Sequence, residues 1–106
     1  MVAESNDFSA TLQTGSDAVL TVAGDIDLAA MDMFMAAVDR IFVEAPRTVT
    51  LDLESVTFLD SSGIKALLKL RRRCEVVGAE LHTTNIPDNV HRLLGIMDLA
   101  DLFVAT

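Results

Sequence analysis

Residues Leu51–Leu68, LDLESVTFLDSSGIKALL, decide how this chain folds. Thr48–Leu53 (TVTLDL) is rich in β-branched and aliphatic residues and reads as a central strand. Val56 and Phe58 follow it. Asp60-Ser61-Ser62-Gly63 then opens an amphipathic helix that continues to Val77, with Asp60 or Ser61 at its start. Gly63, Ala66, Leu67, Leu70, Cys74 and Val77 share one face of it. Lys65, Lys69, Arg72 and Arg73 point to solvent, and Gly78 supplies the stop. A strand that feeds straight into a helix is half of a parallel crossover, so an α/β sheet follows.

The same reading extends to both ends. Phe8, Ala10 and Leu12 alternate with polar residues, Gly15-Ser16-Asp17 signals a turn, and Ala18–Ala23 is a second strand. Those two strands predict a hairpin. Leu28–Val43 reads as a helix with Met31, Phe34, Met35, Val38, Ile41 and Phe42 on its apolar face. Asp25 or Asp27 caps its start, and Pro46 marks its exit. Glu80–Thr84 is another short strand. Pro87 opens a third helix whose stripe is Val90, Leu93, Leu94 and Met97. Leu102-Phe103-Val104 reads as a last strand. The predicted order is β-β-α-β-α-β-α-β: one domain over residues 1–106, a mixed sheet with helices packed against it.

Composition narrows the function. With 106 residues, 51% of them hydrophobic, the chain supports a core without staples. It has one cysteine, Cys74, so neither an internal disulfide nor a thiolate zinc site is available. The net charge of -8 argues against nucleic acid as a partner. Arg71-Arg72-Arg73 sits near a helix end, where cations complement the dipole and Glu75 can pair with Arg71 or Arg72. Leu28–Val43 is interrupted by Asp32, Asp39 and Arg40, and the start lacks a basic, then apolar, address. The expectation is a cytoplasmic protein with no membrane partner.

Few residues carry chemistry. Ser61 and Ser62 stand at a helix start, where backbone N–H groups lack partners and anions are favoured. The simplest reading is that one of them caps the helix and that Gly63 allows close packing. Gly-x-Ser-x-Gly is absent, His82 and His91 lie on separate elements, and no nucleotide loop or metal-ligand spacing occurs, so neither a catalytic nor a metal or cofactor site is expected. Met33 falls off the face set by Met31, Met35 and Val38. With Ala29, Ala30 and Ala37 it suggests an exposed apolar strip, and flexible Met side chains suit adaptable interfaces.

Three segments resemble the STAS domain, specifically the stand-alone anti-sigma factor antagonists of bacteria. The first is Gly24-Asp25-Ile26-Asp27-Leu28, similar to the family's Gly-x-hydrophobic-Asp signature. The second is Leu51-Asp52-Leu53 with Val56, Phe58 and Asp60-Ser61-Ser62-Gly63-Ile64. The third is Val90, Arg92, Leu93, Leu94 and Leu99. Ser55 and Asp98 stand where glycine is common in the family.

The resemblance implies partner switching in sigma-factor regulation. The unphosphorylated antagonist binds an anti-sigma factor that is also a serine kinase, which frees the sigma factor. The kinase phosphorylates the serine after the motif's Asp, here Ser61, and a phosphoserine phosphatase resets it. ATP and Mg²⁺ belong to the kinase, and the chain itself is not an enzyme. Together with the exposed Met33, the residues around this serine, Asp25, Asp27, Asp60, Ser62, Gly63 and Ile64, are the expected partner contacts. The alternative is a STAS subunit of a larger assembly, either a lipid transporter or a stress-signalling scaffold.

Overall fold

In a computed structural model the structure describes residues 7–103. The elements are β1 (Ser9–Gln13), β2 (Asp17–Ile26), a 3-10 turn (Leu28–Ala30), α1 (Met31–Phe42), β3 (Thr48–Leu59), α2 (Ser61–Val77), β4 (Glu80–Thr84), α3 (Asp88–Ile96) and α4 (Ala100–Phe103). They build a four-stranded sheet in the order β1-β2-β3-β4. The β1–β2 hairpin is antiparallel, while β2–β3 and β3–β4 are parallel. The sheet is therefore mixed, as the sequence predicts.

Alternation along the strands decides which face is buried. Leu20 and Val22 of β2 and Val49, Leu51 and Leu53 of β3 are buried. Phe34, Val38 and Ile41 of α1 and Ile64, Leu67 and Leu70 of α2 complete the core. Each such side chain contributes about 1.5–3 kcal/mol by leaving water. The alternate residues Thr21, Thr50, Asp52 and His82 stay half-buried on the other face. Arg73 ties α2 to α1: its guanidinium pairs with Asp39 at 2.8 Å and lies 4.7 Å from the centre of the Phe42 ring.

Several expectations change in detail. β3 runs to Leu59 because it takes up extra residues: Thr21 pairs with Asp52 but Ala23 with Ser55, and Gly24 pairs with Val56 but Asp25 with Phe58. These bulges shift the in-out alternation, so Val56 is buried while Phe58 is 48% exposed. The first helix begins as a 3-10 turn with fewer residues per turn, and Leu28 swings outward. Ala30 and Ala37, expected on a surface strip, are buried. Val77 and Met97 are exposed, since the last inward residues of their helices are Cys74 and Leu94.

Leu102 and Phe103 belong to a helix rather than to the expected last strand. α3 ends in a reversal at Asp98 (φ 59°), where the Asp98 N–H donates to the Gly95 carbonyl and the Leu99 N–H to the Leu94 carbonyl. The chain then turns into α4, which buries Phe103. An apolar run as short as Leu102–Phe103 is compatible with either element, so packing decides. Val104, the rest of that predicted strand, lies outside the described residues.

Candidate functional site

The candidate site forms where β2 and β3 end side by side. Ile26 pairs with Leu59, so the segments after both strands emerge together. The Asp60 N–H reaches the Ile26 carbonyl at 3.5 Å. Asp60 is the α2 N-cap: its carboxylate accepts from the Gly63 N–H at 3.0 Å. The capping expected of one of the two serines is thus done by Asp60, and neither serine is the N-cap. Ser61, the first residue of α2, is exposed, whereas Ser62 is half-buried.

Gly63 explains how α2 starts so close to β2. A Cβ there would lie 2.3 Å from the Ile26 carbonyl oxygen and 2.3 Å from Cδ1 of Leu59. No side chain fits without moving backbone. Ile64 is buried in the core. Gly63 and Ile64 therefore shape the loop from beneath and offer a partner no side chain.

The other residues singled out fall in two recesses. Asp25, Asp27 and Met33 line one of about 440 Å³, together with Phe8, Ala29 and Ala30. Asp27 caps the 3-10 turn by accepting from the Ala30 N–H at 3.2 Å. Asp25 instead accepts from the Thr57 hydroxyl at 2.7 Å. Met33 is exposed, as its helical position predicts. Ser62 lines a separate groove of about 210 Å³ between α1 and α2, with Met31, Met35, Lys65 and Lys69.

Some features of the site escape a sequence reading. Thr57 reaches Asp25 only because a bulge in β3 re-aims it, and no residue spacing announces that. Exposed Phe58 and Ile96 line a third groove of about 270 Å³ between β3 and α3. Parity along a regular strand would have put Phe58 and Val56 on the same side.

The site brings an exposed serine, Ser61, to the same end of the sheet as the carboxylates of Asp25, Asp27 and Asp60. Among the described residues no group of His, Cys, Asp and Glu could hold a metal ion. His82 lies on β4, 3.3 Å from Glu80, and His91 is exposed on α3. Burial pushes the Cys74 thiol up to about 11, with Arg73 opposing that shift, so it is not a nucleophile at neutral pH. Among the described residues no helix is long and apolar enough to cross a membrane.

Comparison with known proteins agrees with this fold. A STAS-domain containing protein of Pseudomonas aeruginosa is 30% identical over 89 residues, covering 84% of this chain and 87% of the relative. An anti-sigma factor antagonist from Mycobacterium paratuberculosis has a similar fold (TM-score 0.79, 18% identity, 97% of this chain and 88% of that one). A sulfate transporter family protein from Wolinella succinogenes does too (TM-score 0.72, 20% identity, 87% of this chain and 72% of that one). Residues 9–106 match the STAS domain, and this chain belongs to that family.

Proposed function

We propose that this protein is an anti-sigma factor antagonist that works as a phosphorylation-controlled binding module. Its unphosphorylated form binds an anti-sigma factor kinase and releases the sigma factor. The kinase then transfers the γ-phosphoryl group of ATP to Ser61 Oγ, the hydroxyl proton leaves to the kinase's base, and ADP departs. The kinase supplies Mg²⁺. A phosphoserine phosphatase restores the binding form, and the cycle runs in the cytoplasm.

One observation carries this reading: Ser61 is exposed at the first position of α2 and is not used as a cap. Its surroundings favour a switch. Asp60 is adjacent, and Asp25 and Asp27 emerge beside it from the neighbouring strand end. A phosphoryl group adds about -1.5 to -2 charges to this acidic edge. A partner surface fitted to a neutral serine then meets like charge, which costs several kcal/mol. No refolding is needed.

The test uses wild type, Ser61→Ala and Ser61→Asp as baits and as kinase substrates. Wild type is expected to take up phosphate from ATP, and Ser61→Ala is not. Ser61→Asp is expected to fold normally and bind the kinase at least about tenfold more weakly, a difference of about 1.4 kcal/mol. Equal affinity of wild type and Ser61→Asp overturns the proposal. A second reading, a subunit of a transporter assembly, is favoured by the likeness to the sulfate transporter family protein. It predicts that all three baits retain the same large complex.

A further inference from the structure

We propose that Lys65 holds the phosphoryl group of phosphorylated Ser61 in cis. This rests on the reading of Ser61 as the phosphorylated residue. α2 is continuous from Ser61 to Val77, so Ser61 and Lys65 stand four residues apart on one helix face. Side chains at that spacing are neighbours, about 5–6 Å apart at Cβ. Helical side chains lean toward the N-terminus, so the stem of Lys65 leans toward Ser61. An anion one turn before a lysine is also the favourable order for such a pair.

Lys65 is free for this role. It is exposed and makes no ion pair among the described residues. The arginines further along α2 are committed: Arg71 and Arg72 pair with Glu75, and Arg73 with Asp39. Lys69 is also unpaired among the described residues, but it stands two turns from Ser61. Lys65 is therefore the cation of α2 within one turn of the serine.

Two consequences follow. Lys65 offsets about one of the added negative charges, so the switch works through the charge left facing Asp25, Asp27 and Asp60. It also favours the doubly ionised phosphate, whose last proton ordinarily leaves near pH 6. The modified group is drawn back along the face of α2 that carries Lys65 instead of swinging freely.

The test places phosphoserine at position 61 by genetic encoding, so no kinase is involved. Phosphorus-31 NMR then follows the phosphate through its second ionisation in wild type, Lys65→Met, Lys65→Arg and Lys69→Met. The wild-type midpoint is expected about 0.3 pH units below that of Lys65→Met. Lys65→Arg should restore the low midpoint, Lys69→Met should keep it, and about 0.5 M salt should shrink the gap. Coincident midpoints for wild type and Lys65→Met overturn the proposal, as does an equal shift in Lys69→Met. Failure here leaves the kinase assay untouched, and a Ser61 that no kinase labels would fail in that assay alone.

Discussion

The molecule passes from strand to helix at two neighbouring points, after Ile26 and after Leu59, and the two passages solve the same problem differently. Each is capped by an aspartate that accepts from the backbone N–H three residues on, Asp27 at 3.2 Å and Asp60 at 3.0 Å. Yet the first passes through a 3-10 turn and leaves Leu28 74% exposed. The second enters a 17-residue α-helix at once. Gly63 makes the difference, since it lets the first turn of α2 lie against the Ile26 carbonyl. Capping chemistry is thus common to both passages. What distinguishes them is the neighbour: one ends in a recess of carboxylates, the other presents an exposed serine.

The sharpest way to break this contrast is Gly63→Ala. Its new methyl group would overlap the Ile26 carbonyl oxygen as well as the tip of the Leu59 side chain, so backbone at Ile26 must shift even if Leu59 changes rotamer. We expect a loss of about 3 kcal/mol in urea unfolding, with the loop that carries Ser61 disturbed as well. Gly95→Ala is the control. A Cβ there meets nothing within 4 Å, and α3 should gain about 0.5 kcal/mol from the better helix former. If both substitutions behave alike, close approach is not what sets the second passage.

The two caps give a smaller and graded effect. Asp60→Ala removes the cap of a long helix and should cost about 1 kcal/mol. Asp27→Ala removes the cap of a single short turn and should cost about half of that. Equal losses in chemical denaturation would mean that helix length behind the cap is irrelevant.

The sheet, the hairpin and the three longer helices were legible because their apolar residues repeat with a single period. Asp60 as one of two cap candidates was legible for the same local reason. What escaped depended on breaks in period. The length of β3 was hidden because bulges near Glu54 and Thr57 interrupt its alternation. The outward turn of Leu28 was hidden because a 3-10 turn changes the angle between successive side chains. Asp98 is instructive in the other direction. It stands where glycine is common in the family, and the chain there adopts the left-handed conformation glycine prefers. Aspartate is among the few residues that tolerate it, so the turn survives the departure. The site followed the same rule. Ser61 and Asp60 could be read from a contiguous motif, whereas the bond from Thr57 to Asp25 spans 32 positions and exists only in the folded sheet.

That bond offers the finest test, because it joins the two passages directly. The extra residue in β3 turns the Thr57 hydroxyl toward Asp25, 2.7 Å away, at the mouth of the acidic recess. A hydrogen bond to a carboxylate can be strong, but this one is exposed, and water competes for both partners. A double-mutant cycle of Thr57→Val and Asp25→Ala should therefore show coupling of only about 0.5 kcal/mol. Additive losses would make the passages independent, and the nearness of Asp25 to the Ser61 loop would then rest on strand register alone. Measurable coupling would mean that β3 holds Asp25 in place while it carries the chain to Ser61, so that one strand sets the positions of both the serine and a carboxylate beside it.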